Sequence, residues 1–385
     1  MRTKTLIGLT LLTLLPLWTF LSIGGPAFAQ NVDKDFSDRV VYLDDDGKKQ
    51  DSRDVKVETA TYEDAGVKYL KGRSKSERNG SRIIMVLYGD TPPVYLEGEQ
   101  NLQRGRFKEA ASSFDGAKNA VDAGKCRPWV LEYAAVRRGQ ALTGLGRTEK
   151  GLLPDAVKEF KAALSANGKS ILYDEIHLGL VEAYSLQGKW NEAKAAGQNL
   201  LNVGKIIKQP IWQAKAQAAI AQVLLEQKKF AEAVSAFGDL AALAAREGKY
   251  VKNERRKADL AELEISGAVE QGWALIAAAE TTGAWDKAKS HFDGLAGHYP
   301  GNEAVAAAVL NGVGMTLMKT DPRAAYMKFC EAQVTNFNAR TEVARALYLK
   351  AQALKAMGGA TNNQRAEEAL KELRKFYPDT PFARK

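Results

Sequence analysis

Cysteine and histidine are scarce in this chain, and their scarcity limits the chemistry it can carry. The 385 residues include 2 Cys and 3 His. His177, His291 and His298 have no nearby cysteine or further histidine to complete the four ligands of a structural zinc site. The thiols of Cys126 and Cys330 lie in separate parts of the sequence, whereas a disulfide needs Cα atoms within about 7 Å of each other. We therefore predict no metal centre and two unpaired thiols.

Sequence patterns for enzymatic chemistry are missing as well. The chain has no GxSxG, HExxH, Walker A or Rossmann fingerprint, and no cysteine stands close to a histidine. The acidic run at residues 44–47 resembles the start of a calcium loop, but it lacks the glutamate expected near the twelfth position of such a loop. We predict no catalytic residues, no cofactor and no enzymatic activity.

Long apolar runs are absent after residue 30, but one occupies the start of the chain. Arg2 and Lys4 precede an apolar stretch, and residues 27–29 have the small-x-small pattern of a signal peptidase site. We predict that residues 1–29 are a signal peptide cleaved between Ala29 and Gln30, and that the protein is exported and periplasmic or envelope-associated. An uncleaved membrane anchor is the alternative, because the run approaches the ~18–20 residues that span a bilayer.

The charge of the chain is mildly basic and widely spread. Its formal net charge is +9 at pH 7. Such an excess favours acidic or envelope-associated protein partners, and it permits association with a membrane surface. Nucleic acid is not predicted as a partner, because an exported protein seldom meets it.

Residues 30–91 are predicted to form a small β-rich domain. Short apolar or alternating segments occur at residues 39–43, 55–58, 67–70 and 82–88. Asp-Gly at residues 46–47 is a strong hairpin signal, and the basic stretch before the last segment is interpreted as a loop. The pattern resembles the SH3-like or Sm-like barrels placed ahead of repeat arrays. Because its core would be small, we expect this module to pack on the first helices.

Residues 92–385 carry a repeated helical phrase. A helix interior does not tolerate Pro92 and Pro93, and after them apolar residues recur at helical spacing. In each copy an alanine stands early in a helix, at Ala110, Ala156, Ala193, Ala233, Ala288, Ala325 and Ala366. An aromatic residue or its substitute follows four residues later, at Phe114, Phe160, Gly197, Phe237, Phe292, Phe329 and Leu370. A proline follows twelve residues after the alanine at Pro300 and Pro378.

In these features residues 92–385 resemble the tetratricopeptide repeat family. The resemblance implies a mainly α fold, a right-handed α-α superhelix of about seven helix pairs that forms an α-solenoid behind the small β module. The alanines recur at intervals of roughly forty residues, against ~34 in the family. The surplus predicts longer helices or loops, including a lengthened helix around residues 247–270.

The family binds partner segments in a concave groove lined by the first helix, helix A, of each pair. Counting back from the alanines gives the candidate partner-binding residues Tyr95, Tyr133, Gln140, Lys215, Gln222, Trp273, Arg345, Tyr348 and Lys355. Trp273 is the predicted aromatic anchor if one of these residues contacts a partner. The interpretation that Trp273 and Tyr348 fill the interhelical core is slightly favoured over that prediction.

A basic patch is predicted on the lengthened helix. Its members are Lys249, Lys252, Arg255, Arg256 and Lys257. The patch is either a solvated charged face or a docking site for an acidic protein segment or an anionic envelope polymer.

Together these features favour a non-enzymatic protein-interaction scaffold or adaptor in the bacterial cell envelope. Its partner would bind in the groove of the repeat array. One alternative is an accessory protein or enzyme of peptidoglycan processing. Another is a self-assembling structural component of the envelope, because exposed ends of a repeat array can stack.

Overall fold

The structure is a computed structural model that describes residues 37–124, 126–336, 338–378 and 380–384. The predicted signal peptide and its cleavage site at Ala29 and Gln30 lie outside these residues. Five strands come first in the described chain: β1 (Asp38–Leu43), β2 (Lys49–Ala60), β3 (Val67–Lys71), β4 (Ser74–Arg78) and β5 (Ile83–Leu87).

The strands form one antiparallel sheet in the order β4-β3-β2-β1-β5. The long strand β2 pairs with β1 along its first part and with β3 along its second. The predicted Asp-Gly hairpin is confirmed: Gly47 joins β1 to β2 with φ +77°, a conformation that glycine adopts without strain. The interpretation of residues 74–78 as a loop is wrong. They form β4, a polar strand at the edge of the sheet, where little apolar surface needs burial.

Fourteen α-helices follow in the described part of the chain. They are α1 (Pro93–Gln103), α2 (Phe107–Asp122), α3 (Trp129–Gly146), α4 (Leu153–Ala166), α5 (Tyr173–Leu186), α6 (Trp190–Ile206), α7 (Pro210–Glu226), α8 (Phe230–Gly248), α9 (Glu254–Thr282), α10 (Trp285–His298), α11 (Glu303–Leu317), α12 (Pro322–Thr335), α13 (Arg340–Met357) and α14 (Ala360–Phe376). The predicted lengthened helix is α9, with 29 residues, but it begins at Glu254 and not near residue 247, so Lys249 and Lys252 of the basic patch lie in the turn before it. Among these described helices none is both long and apolar enough to cross a bilayer.

The helices form tetratricopeptide-like pairs, in which the odd-numbered helices are A helices and the even-numbered ones are B helices. All seven marker alanines lie on B helices, and each is 0% exposed. In four of the pairs the aromatic residue that follows packs against a glycine of an A helix: Phe114, Phe160, Phe292 and Phe329. A Cβ on Gly98 would lie 2.7 Å from the Phe114 ring, and one on Gly272 would lie 2.6 Å from the Phe292 ring. The absence of a side chain at these glycines therefore lets the two helices approach closely.

The chain divides into two compact units. Unit 1 comprises Leu224–Ala242 and Glu262–Lys385, and unit 2 comprises the described residues up to Val223 together with Leu243–Ala261. Unit 2 therefore contains the β module, the first helix pairs and the first turns of α9.

Within unit 2 the β module packs on the helices, as expected from its small core. The Arg127 guanidinium, just before α3, donates to Asp38 at 2.6 Å and to Asp90 at 2.7 Å. The rings of Tyr88 and Trp129 stack with their centroids 4.2 Å apart. The contact extends beyond the first helices, because the Asn253 side chain donates to the Gly47 carbonyl at 2.8 Å.

Candidate functional site

The A helices of unit 2 are joined to one another by polar side chains. Arg137 on α3 donates through Nε to Glu99 on α1 at 2.7 Å, and it also forms an ion pair with Glu175 on α5. The predicted residue Gln140 joins the same group, since its Nε2 donates to Glu175 at 3.1 Å. Tyr95 donates its hydroxyl hydrogen to Glu99 at 2.9 Å. These residues form a continuous polar row across three A helices.

The row continues onto α7 through Lys215. Its Nζ donates to Asp174 on α5 at 2.9 Å. Burial opposes the charge of this lysine, but the negative charge of Asp174 outweighs burial and raises the pKa of Lys215. The predicted residue Gln222, also on α7, is half-buried. Tyr133 and Tyr95 are both buried in the hydrophobic core of this unit. The predicted residues of unit 2 are thus engaged in contacts within the chain.

The A helices of unit 1 bring Trp273 and Arg345 together. The Arg345 guanidinium carbon on α13 lies 4.2 Å from the centre of the Trp273 ring on α9. It also lies 5.2 Å from the ring of Phe382, which belongs to a 3-10 turn at Pro381–Arg384. Arg345 is 3% exposed and Trp273 is 9% exposed. An arginine close to two aromatic rings gains cation–π attraction at a desolvated position.

Two glutamates and an asparagine complete this group. The Arg345 Nη1 lies 3.0 Å from Glu342, and its Nη2 donates to Glu270 at the long distance of 3.5 Å. Asn311 on α11 donates to the Glu342 carboxylate at 3.0 Å. We call Glu270, Trp273, Asn311, Glu342 and Arg345 the buried polar cluster.

Several polar atoms of the buried polar cluster lack a hydrogen-bond partner among the described residues. They are Glu270 Oε2, Trp273 Nε1 and Asn311 Oδ1. A buried polar group without a partner lowers stability by about 1–3 kcal/mol. Since an apolar core would avoid this loss, a buried network that is only partly satisfied is more typical of a functional position than of a stabilising one.

The protonation of Glu270 reflects its surroundings. Burial raises the pKa of this carboxyl to about 7, and the nearby charge of Glu342 adds to the increase. The positive charge of Arg345 acts in the opposite direction and is too weakly coupled to restore an ordinary value. The Glu270 carboxyl therefore changes charge near neutral pH.

Replacing Glu270 with glutamine should alter the pH dependence of stability. Because the folded pKa of about 7 lies above the ordinary 4.5, the folded state holds this proton more tightly than the unfolded state. The resulting stability is full below about pH 4.5 and is lost as the pH rises towards 7. We expect Glu270→Gln to remove a fall on the order of 3 kcal/mol across that range.

Urea unfolding at several pH values checks this expectation. The difference between the wild type and Glu270→Gln isolates Glu270 from the other carboxyl groups. Glu367→Gln is the matched control, because this exposed glutamate on α14 pairs with Lys355 and its pKa is lowered. Parallel pH profiles for the wild type and Glu270→Gln would contradict the expectation.

Tyr348 and Lys355 lie further along α13. Tyr348 is half-buried, and its ring centroid lies 6.1 Å from that of Phe382. Lys355 is half-exposed and reaches Glu367 at 2.8 Å. Together with Gln352 these residues occupy the stripe of α13 that also contains Arg345. This stripe is the accessible border of the buried polar cluster.

The basic patch is divided by the structure. Arg256 Nη2 donates to the Ser81 carbonyl of the β module at 2.7 Å, so this arginine holds the module in place. Burial lowers the pKa of Arg256. The other four members are exposed on the surface of unit 2: Lys249, Lys252, Arg255 and Lys257.

Sequence reasoning singled out Trp273 and Arg345 but missed the charged residues beside them. Glu270 lies three residues before Trp273, and Glu342 lies three residues before Arg345. Residues three or four positions apart share a helix face. A charged residue at that spacing from a predicted binding residue could therefore have been predicted to lie beside it. Arg137, four residues after Tyr133, follows the same rule.

Among the comparisons with known proteins, only the comparison with solved structures finds similar chains. No family model and no curated protein matches the chain. Among solved structures, the apo form of RapI covers 75% of this chain and 76% of its own, with 10% identity and a TM-score of 0.46. A tetratricopeptide repeat protein from Parabacteroides merdae covers 74% of this chain and 98% of its own, with 15% identity and a TM-score of 0.41. Both scores are below 0.5, so the fold assignment rests on the helix pairs themselves.

Proposed function

We propose that this protein is a non-enzymatic interaction scaffold that binds a protein segment on the A-helix face of unit 1. The observation that carries the proposal is the buried polar cluster, whose Arg345 and Trp273 were predicted to contact a partner. A helical repeat array offers an extended surface, and such arrays usually work by binding other molecules. The side chains that a partner could reach are those of the accessible stripe of α13, Tyr348, Gln352 and Lys355.

The partner that best suits this face carries acidic residues next to an apolar or aromatic one. Lys355 is half-exposed and would attract a carboxylate, while Tyr348 offers an aromatic surface beside it. The apolar run and small-x-small site in residues 1–29 support an exported protein of the periplasm or envelope. A partner in the envelope follows from that location.

Capture of a partner from an envelope extract tests the proposal. We expect Tyr348→Ala to reduce binding more than tenfold, because truncating an aromatic anchor removes about 2 kcal/mol or more. Lys355→Glu should weaken capture chiefly at low salt, since a charge at the border of an interface mainly affects the association rate. Binding of each variant to the identified partner can be measured by calorimetry.

Lys328→Glu is the matched control for the charge reversal. Lys328 lies on the B helix α12 and pairs with Glu331 at 2.8 Å, the same distance as Lys355 to Glu367. The Lys328→Glu variant should bind the partner with the same affinity as the wild type. An equal loss of binding in both lysine variants would show a general charge effect. Release of peptidoglycan fragments by the purified protein would show that it is an enzyme and would contradict the proposed scaffold function.

A further inference from the structure

Two turns of unit 2 present exposed apolar side chains among unpaired cations. Ile206, at the end of α6, is 79% exposed, and Tyr250, between α8 and α9, is 78% exposed. They are the two most exposed large apolar side chains in the part of the chain that the structure describes. Two such side chains on turns, each beside lysines, call for a functional explanation.

The two turns meet at one carbonyl group of the β module. Gln209, just before α7, donates to the Ser81 carbonyl at 2.6 Å, and Arg256 in the first turn of α9 donates to the same oxygen at 2.7 Å. Ile206 is three residues from Gln209, and Tyr250 is six residues from Arg256. The β module thus fixes the two apolar side chains on the same edge of unit 2.

The cations on these turns are not neutralised by the protein. Six are exposed and form no ion pair with any residue that the structure describes: Lys205, Lys208, Lys249, Lys252, Arg255 and Lys257. Arg246 is different, because it pairs with Glu247 at 2.9 Å. Glu254 is the exposed acidic residue within this second turn. The two turns therefore carry a local excess of positive charge, and the acidic hairpin between β1 and β2 at residues 44–47 lies beside Lys252.

We propose that this edge of unit 2 binds the surface of an anionic lipid bilayer. Tyrosine favours the interface between lipid and water, where its ring contacts acyl chains and its hydroxyl stays hydrated. Lysine and arginine nearby would contact lipid phosphate groups. Ile206 and Tyr250 are 79% and 78% exposed, and side chains as exposed as these suit a soft planar surface better than a folded protein partner.

Sedimentation with lipid vesicles tests the proposal. The full chain is mixed with phosphatidylcholine vesicles that contain or lack phosphatidylglycerol. The apolar run at residues 6–23 can bind either kind of vesicle, so the difference between the two measures the charged edge alone. We expect binding to rise strongly with phosphatidylglycerol and to fall with salt.

Removing cations should weaken the preference for vesicles that contain phosphatidylglycerol, and each cation removed should weaken it by a similar factor. A cation near an anionic surface strengthens binding roughly fivefold. The triple variant Lys249→Gln, Lys252→Gln, Arg255→Gln should therefore lose roughly a hundredfold. The control removes three exposed cations from the hairpin between β3 and β4, by Lys71→Gln, Arg73→Gln and Lys75→Gln. It should keep most of the binding.

The apolar contacts have a separate test. Ile206→Ser with Tyr250→Ser leaves every charge in place and should still reduce vesicle binding about tenfold or more, because both side chains lose burial in the lipid.

Equal effects of the two triple variants would overturn the proposal. So would binding to polyglutamate beads without binding to anionic vesicles, which would assign the edge to an acidic protein. Loss of vesicle binding in millimolar inorganic phosphate, with no effect of the serine variant, would indicate a site for free phosphate instead. Vesicle binding and partner capture use different residues, so either can fail without the other.

Discussion

Replacing Phe292 with alanine should lower the free energy of unfolding by about 3–5 kcal/mol. Its ring is fully buried between α9 and α11, where it packs against Gly272 and Gly312. Loss of the ring removes apolar burial and leaves a cavity that two helix backbones cannot close, because the glycines bring no side chains that could fill it. Thermal or urea unfolding measures the change.

Phe376→Ala is the control for this prediction. Phe376 ends the B helix α14 and is 53% exposed, so its loss should change stability by less than about 0.5 kcal/mol. A mild effect at Phe292, close to that at Phe376, would mean that the aromatic position of the repeat does not join neighbouring helices.

Replacing Arg345 with methionine should have an effect of similar size through a different cause. The substitution keeps much of the side-chain volume but removes the cation between Glu270 and Glu342, which are both buried. Breaking a buried ion pair by removing one partner lowers stability by about 3–5 kcal/mol, since a charge remains buried without its partner. The loss should be smaller at low pH, where Glu270 is protonated and its buried negative charge is gone.

The triple variant Arg345→Met, Glu270→Gln, Glu342→Gln separates charge from packing. It carries no uncompensated charge in the cluster, and we expect it to recover most of the stability lost in Arg345→Met. Unfolding experiments near about pH 5 and about pH 8 give the comparison. If the triple variant is as unstable as the single one, contact of Arg345 with the Trp273 and Phe382 rings is the main contribution, and the ion pairs are secondary.

The helical repeat could be predicted from the sequence because its signal is local. An alanine such as Ala288 and an aromatic residue four positions later both point from one face of one helix, so their spacing is visible in the chain. Strand β4 could not be predicted in this way. Its residues, Ser74–Arg78, are polar because they form a sheet edge, and that position depends on the pairing of the other strands.

Individual residues of the candidate sites could be predicted from the sequence, but the contacts between them could not. Repeat geometry places Trp273 and Arg345 on A helices, but they are 72 residues apart, and nothing local shows that their side chains meet. The same applies to Arg256, whose sequence neighbours suggest a solvated cation and whose actual partner is the Ser81 carbonyl. Such pairings depend on packing between distant helices. Lys249 and Lys252, which make no such pairing, were predicted as exposed cations and are exposed.

Site-specific photo-crosslinking tests the central claim most directly, that a protein partner binds the A-helix face of unit 1. A photoreactive residue is placed in turn at Gln352 and Lys355 on α13, and at Met327 and Val334 on α12. Met327 and Val334 are exposed and apolar, so α12 offers an alternative surface to which a partner could bind. After irradiation in an envelope extract, we predict a shared crosslinked protein from the two α13 positions and none from the two α12 positions. The same protein crosslinked from α12 and not from α13 would contradict the account.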